Sequence, residues 1–535
     1  MRWRTDGLSM DIVVTDLVVV GAGASGLLAA VAARRLGHEV LVVEASELAG
    51  GTTALSDGRL WLPGNHLMAK LGTKDSAEEA AAYLEAVLGA ETTASPAERR
   101  AAFLETAPKV GRWLTSSKLS LFATKGVPDH HGEAPGAKQQ GRVVQSHPVD
   151  LRMLGDWEDS LRGPVEAPDL AARVSARLLP RHGSRGTGEA LGAELLHRAA
   201  ANGVEIWLRA RVVELLSGTG GVEGVVVRRA IGDSEATDDV RVVARRGVLL
   251  ASGGFEANQA MREEYLPLPT DASWSASGIV NDGSVLALAT ALGAATAGMD
   301  DAWWVPVLIA DSQAHRIDRA RSNPHGLIVD QAGDRFFNEA APGVIAGRQL
   351  YERSRGVRAI PSYLIVDNHH RQQNSLGPWP AGTTPKRAIE TGDIVKASTL
   401  NDLAQELGID RAGLLGTVVR FNNFASKGRD LDFRRGEATS APKQSGRRNV
   451  SLGKLAKPPF WAVRVYPGDE GTKGGVVIDA NSRVLDGQGA VIPGLYACGG
   501  AAASMMGRTS PGPGAALAAA FVEAFLAVTK LDPAP

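Results

Sequence analysis

Three glycines, Gly21, Gly23 and Gly26, stand in the spacing G-x-G-x-x-G, and a carboxylate, Glu44, follows 18 residues after the last of them. That set can hold a dinucleotide. The first glycine permits a tight turn, the second lets a pyrophosphate approach the main chain, and the third lets a helix pack closely on a strand. The helix N-terminus then faces the phosphates, and Glu44 accepts hydrogen bonds from an adenosine ribose. A second cluster, Gly50-Gly51-Thr52-Thr53 with Ser56 and Gly58, follows shortly after Glu44. Far away, GLYACGG (Gly494 to Gly500) and the turn Pro511-Gly512-Pro513-Gly514 precede a terminal Ala/Leu-rich run. The first fingerprint alone does not separate NAD from FAD.

These residues need elements to hold them. DLVVV (Asp16 to Val20) reads as a buried parallel strand, GAGASGLLAAVAARRLG as a turn entering a helix, and HEVLVVEA as a second strand, together a βαβ unit. Helical periodicity runs from about 75 to 115, and GVPDHHGEAPGAKQQGR reads as a long loop. GVEIWLRARVVELL and GVEGVVVRR read as strands of a second sheet, and RGVLLASGGFEAN as an apolar strand ending in a Gly pair. From about 272 to 458 the pattern becomes mixed helices and loops rich in Trp and Pro, as expected of an inserted domain. The chain closes with short strands and a helix starting after the Pro/Gly turn.

Bulk properties narrow the function. The 535 residues allow two or three domains. A net charge of −1 gives no reason to expect nucleic acid as a partner, and no apolar run is long enough for an integral membrane segment. The segment before Met10 lacks the apolar core of a secretory signal, and Met10 is an alternative start. Cys498 is the only cysteine. It excludes intramolecular disulfides, Cys-ligated zinc, iron–sulfur clusters and c-type haem, and fits a reducing cytoplasm. Any electrons handled here must pass to an external acceptor.

The Gly50–Thr53 segment resembles the stretch that runs along the flavin in two-dinucleotide-fold flavoproteins. More widely, GGTTALSDGRLWLPGN, LLASGGFEAN, DAWWVP, GLIVDQAGDRFFNEAAP, YPGDEGTKGGVVIDANSRVLD and MMGRTSPGPGAA, in that order, resemble the fumarate reductase/3-ketosteroid dehydrogenase group, nearer its ketosteroid branch. The resemblance implies an α/β fold: a Rossmann-like FAD domain from residues 13–271 and 459–535, with residues 272–458 inserted as an α+β catalytic domain. It implies FAD, non-covalent because Gly51 stands where a tethering histidine sits in succinate dehydrogenases. It implies contacts to the cofactor from Gly21, Gly23, Ala24, Ser25, Gly26, Glu44, Ala45, Gly50, Gly51, Thr52, Thr53, Ser56 and Gly58. Later in the chain it adds Val213, Ala251, Gly253, Gly254, Gly499, Gly500, Gly514, Ala515 and Leu517. The implied reaction takes an α-proton from a small-molecule cyclic ketone, a steroid or a cyclohexanone, and passes the β-hydride to the flavin. A reductase of an activated alkene and a flavoprotein subunit without desaturase chemistry are the alternatives.

The family's phenols are largely replaced. Ser510 stands where a tyrosine joins the last glycine of the turn in binding the ketone; Gly343 stands where the proton-accepting tyrosine follows N-E-A-x-P. The loop that usually reads P-D-Y reads Pro128-Asp129-His130-His131, and EATSAPKQSG replaces a Tyr-rich segment. The expected catalytic set is therefore Ser510 and Gly514 as the carbonyl clamp, His130 (or His131) as base near neutral pH, and Tyr466 as a remaining phenol. Trp303 and Trp304 are candidates for the cavity wall or the core. Arg508 suits a substrate carboxylate or a structural ion pair, and Asn338 and Glu339 suit domain-closing hydrogen bonds.

Overall fold

The computed structural model describes residues 11–163, 183–184, 186–230, 237–277, 281–437 and 449–532. The alternative start at Met10 and residues 438–446 of the EATSAPKQSG run lie outside them. Strand Asp11–Val20, apolar and buried over Leu17–Val20, runs parallel to Val40–Val43 on one side and to Thr237–Leu250 on the other. The sheet continues outward through Glu205–Trp207 beyond Val40–Val43, and through Val491–Ala497 and Arg483–Leu485 beyond Thr237–Leu250. Strands from both ends of the chain thus share one parallel core, whose continuous apolar sequences suit burial on both faces.

The hairpin Ala210–Gly218 and Gly221–Ala230 does not start a second sheet as expected. The 14-residue strand Thr237–Leu250 is long enough to pair with it as well as with Asp11–Val20. Helix Ala24–Arg35 buries nine of its residues, mostly Ala and Leu, against helices Ala515–Thr529 and Thr187–Ala201. Small side chains let these helices come close, which brings the C-terminal helix beside the first βαβ unit.

Residues 272–458 are more regular than mixed helices and loops. They contribute most of a six-stranded antiparallel sheet in the order Gln313–Arg316, Ala302–Ala310, Phe460–Thr472, Ser362–Val366, Gly326–Val329, with Val395–Ala397 paired to Phe460–Thr472. The 13-residue strand Phe460–Thr472 is hydrogen bonded into that sheet, so the chain returns to the parallel sheet after residue 472 rather than at 459. That long strand carries Glu470, Gly471 and Thr472 down to the junction of the two sheets. Helices Ala77–Leu88 and Ala97–Ser116 match the periodic stretch at 75–115, and residues 126–142 are loop. No described helix is long and apolar enough to cross a membrane.

Candidate active site

A cavity of about 560 Å³ runs between the parallel sheet and the antiparallel one. Its first stretch is a backbone cradle. Gly21, Gly23, Ala24, Ser25, Glu44, Ala45, Gly51, Thr52, Thr53, Ser56 and Gly58 line it, with Ala251, Gly253, Gly254, Gly499, Gly500, Gly514, Ala515 and Leu517 opposite. The three fingerprint glycines divide the work as their spacing implies. A Cβ on Gly21 would come within 2.5 Å of the Ala251 carbonyl oxygen, and one on Gly26 within 2.0 Å of the Gly21 carbonyl oxygen. A Cβ on Gly23 would meet no protein atom within 4 Å; it would project into open cavity.

Two long helices begin at this cradle, at Gly23 and Gly514, and neither has a side-chain cap or an acidic residue in its first turn. Their free N–H groups and partial positive charge are left for something anionic. Glu44 is fixed at the end of its strand, accepting from Ala22 N–H (2.8 Å), Ser46 N–H (2.9 Å) and the Ser46 hydroxyl (2.8 Å). A side-chain-free approach, two uncapped helix ends and an oriented carboxylate fit the pyrophosphate and ribose of FAD.

Three expected cofactor contacts stand behind the wall. Gly26 presses on Gly21, and Gly50 is the left-handed N-cap (φ +100°) of helix Gly51–Leu55. Val213 gives way to Val212, because the hairpin register shifts between Val212 and Glu214, and that irregularity turns the neighbouring side chain inward.

Beyond the cradle, two segments of loop close one end of the cavity. His130 N–H donates to the Pro511 carbonyl (3.0 Å), and the Tyr83 hydroxyl donates to that same carbonyl (2.5 Å) while accepting from His131 N–H (3.2 Å). His131 Nε2 lies 3.1 Å from the Thr509 hydroxyl. Arg142, paired at 2.7 Å with both Asp75 and Asp129, braces the loop from behind. The turn itself is packed without side-chain room: a Cβ on Gly512 would come within 2.4 Å of the Trp61 ring, and one on Gly514 within 2.3 Å of the Arg59 carbonyl oxygen. His130, Ser510 and Gly514 therefore meet on one wall.

Burial pushes the His130 imidazole down to about 4, so it is neutral at pH 7. The Ser510 hydroxyl is not aimed as the clamp requires. It donates to the Gly512 carbonyl (3.2 Å), so its one proton is committed to the turn. Gly514 N–H has no acceptor among the described residues.

Tyr466, expected as a remaining phenol of the site, does not reach the cavity. It lies against Trp274 with ring centroids 5.0 Å apart and is not among the described residues lining the cavity, because its strand position faces that ring instead. His131 likewise turns to Thr509. Trp303 and Trp304 both line the cavity, and Trp304 is also core, donating to Asp301 (2.8 Å). Arg508 pairs with Asp300, and fully buried Glu339 pairs with Arg335 (2.7 Å). Asn338 accepts from Ala340 N–H in a turn (2.8 Å). Burial pushes the Cys498 thiol up to about 12, leaving it inert.

Sequence reasoning missed a charged constellation on the opposite wall: Arg316, Asp318, Arg321 and Glu470. Arg316 bonds Glu470 (2.5 Å) and Asp318 (3.0 Å), and Arg321 bonds Asp318 (2.5 Å). The place left by Gly343 is part of this wall. A Cβ there would already lie 3.2 Å from the Trp304 carbonyl oxygen and 3.5 Å from an Asp318 carboxylate oxygen. Glu470 sits directly before Gly471 in the segment YPGDEGTKGG, where an acid in the sequence carries no sign that it faces a cavity.

The FAD binding domain family matches residues 16–517. The 3-oxosteroid 1-dehydrogenase of Mycolicibacterium smegmatis is 34% identical over 96% of this chain and 97% of its own. The 4-oxocyclohexanecarboxylate 2-dehydrogenase of Sinomonas cyclohexanicum is 32% identical over 96% and 92%. Among solved structures, the 3-ketosteroid Δ1-dehydrogenase of Sterolibacterium denitrificans, in complex with 1,4-androstadiene-3,17-dione, superposes with a TM-score of 0.90 at 34% identity, covering 97% of this chain and 99% of that one. The chain belongs to the FAD binding domain family, as an FAD-binding oxidoreductase of the 3-oxosteroid dehydrogenase group.

Proposed function

We propose that this protein desaturates the bond between the carbons α and β to the carbonyl of a ring ketone. The observation that carries the reading is the meeting of a free N–H, Gly514, and a neutral imidazole, His130, on a cavity continuous with the FAD cradle. The ketone oxygen accepts from Gly514 N–H, and the positive end of helix Ala515–Thr529 stabilises the negative charge that grows on that oxygen. His130 Nδ1 lies 3.2 Å from the Ser510 carbonyl oxygen, which can only accept, so Nδ1 carries the proton and Nε2 the lone pair. That lone pair receives the α-proton.

When bound, FAD supplies the acceptor for the hydride that leaves the β-carbon. Glu44 would hold the ribose, and the helix starts at Gly23 and Gly514 would offer their N–H groups to its anionic parts. Gly51 offers no side chain for a covalent tether. A ring ketone as substrate is supported by relatives named for a 3-oxosteroid and for an oxocyclohexanecarboxylate. With one buried cysteine in the chain, the electrons pass on to a separate small or protein acceptor.

The test is anaerobic addition of ring ketones, from cyclohexanones to 3-ketosteroids, to the oxidised yellow protein. Loss of the oxidised flavin's visible absorbance with formation of the matching enone is the expected outcome. No bleaching by any ring ketone, with reoxidation of the reduced protein by an activated alkene instead, would reverse the assigned direction.

A further inference from the structure

The wall of Arg316, Asp318, Arg321 and Glu470 is costly if it faces an apolar ring system. Ions enclosed by protein lose hydration, and a lipophilic ligand laid on them removes what remains. Yet these side chains do face the cavity: 39% of the Arg316 side chain, 29% of Asp318 and 40% of Glu470 stay accessible on its wall. Arg321 is shut away: only 3% of its side chain is exposed, and its guanidinium holds the carbonyls of Glu339 (2.6 Å) and Ala341 (2.7 Å) as well as Asp318. Arg316 is not. Its Nε and Nη2 each donate to one Asp318 oxygen (3.2 and 3.0 Å) and its Nη1 to Glu470 (2.5 Å), so three of five N–H groups are spent. Two remain, one on each terminal nitrogen, which is the arrangement that receives a carboxylate at two points.

We infer that Arg316 is a specificity-determining residue that binds a substrate carboxylate, so that the ring ketone is a small acidic one, such as an oxocyclohexanecarboxylate. The assignment rests on the ring-ketone reading above for the other end of the molecule. Charge balance agrees with it. On this wall Arg316 and Arg321 face Asp318 and Glu470, two against two, so an incoming anion is best received where one of these carboxylates gives up its charge. Glu470 is placed for that: burial and the nearby Asp318, Asp57 and Asp469 raise its carboxyl above the usual range against the opposing pull of Arg316. A carboxylate arriving on the two remaining N–H groups of Arg316 then stands beside a carboxyl that is less acidic than usual.

Two measurements on the holoenzyme test this. Cyclohexanecarboxylate and cyclohexanecarboxamide, which have no ketone and cannot turn over, are titrated against the oxidised protein, and binding is read as perturbation of the flavin spectrum. The acid is expected to bind about 10- to 100-fold more tightly than the amide, the range of a charge-assisted pair. Arg316→Gln should erase most of that ratio and Arg316→Lys should keep part of it. If Arg316→Gln fails to fold, the wild-type ratio alone decides: equal binding of acid and amide overturns the assignment. The second measurement is flavin bleaching by 4-oxocyclohexanecarboxylate and by its amide. Bleaching by both at equal kcat/KM sinks the Arg316 assignment and leaves the ring-ketone reaction standing. Tight acid binding with no bleaching by any ketone sinks the reaction and leaves Arg316 standing.

Discussion

The imidazole Nδ1 of His130 lies 3.2 Å from the main-chain carbonyl oxygen of Ser510, so two residues 380 positions apart set each other's role. The carbonyl fixes the tautomer of the ring, and the ring in turn closes the loop over the turn that presents Gly514.

If His130 accepts the α-proton, His130→Asn should lower kcat/KM by about 10²- to 10⁴-fold, the usual contribution of a positioned base, with unchanged flavin content. Burial holds His130 near 4, against an ordinary 6.5. Its acid limb in the kcat/KM profile should therefore fall near pH 4. The unfolded chain binds the extra proton between those values, so the stability gained from a neutral His130 is complete above pH 6.5 and is lost as pH falls to 4. A limb at 6.5 that survives in His130→Asn would remove His130 from the reaction.

The three fingerprint glycines should fail in different ways. A side chain at Gly23 enters the empty cradle, so Gly23→Val should give a folded, colourless protein with a cooperative melt. At Gly21 and Gly26 the new Cβ would strike main-chain oxygens at 2.5 and 2.0 Å, and Gly21 also sits at φ +110°. Gly21→Val and Gly26→Val should therefore lose soluble protein, not merely flavin. Full flavin content in Gly23→Val would refute the cradle.

Ser510→Ala should cost less than the removal of an oxyanion donor, which is typically about 10²-fold or more. Its hydroxyl proton is directed at the Gly512 carbonyl, so the ketone relies on Gly514 N–H. The expected loss in kcat/KM is severalfold, with a small fall in Tm from the loosened turn. A loss of two orders of magnitude would mean that the hydroxyl rotates onto the ketone during turnover.

Lys473 offers a pH test of stability. Its ammonium is buried, donates to the carbonyls of Gly507 and Thr509 (2.7 Å each), and lies 4.3 Å from the centroid of the Trp303 ring. Burial pulls it down from 10.5 to about 7 even with Asp301 3.7 Å away. Between pH 7 and 10.5 the unfolded chain binds the extra proton, so stability rises with pH across that window, and the full penalty for the charged amine applies below pH 7. The difference in Tm between wild type and Lys473→Met should change across pH 7–10.5 in that direction. A difference that stays flat would place the amine in contact with water.

By itself the sequence determined what acts over short stretches of chain. The G-x-G-x-x-G turn, its helix and Glu44 lie within 30 residues, and Gly26 is required by its contact with Gly21, whereas the contact that requires Gly21 comes from distant Ala251. The Pro-Gly-Pro-Gly helix start was legible for the same reason. Tertiary structure decided what depends on register and on distant pairs. A shift at a single hairpin position exchanged Val213 for Val212, and one ring contact took Tyr466 out of reach. Arg316 and Glu470, 154 residues apart, became a cavity wall only because Ala302–Ala310 pairs with both of their strands in one sheet. Isolated charged residues in a sequence look like solvated surface. Only the fold, by bringing opposite charges together out of bulk water, makes them a site.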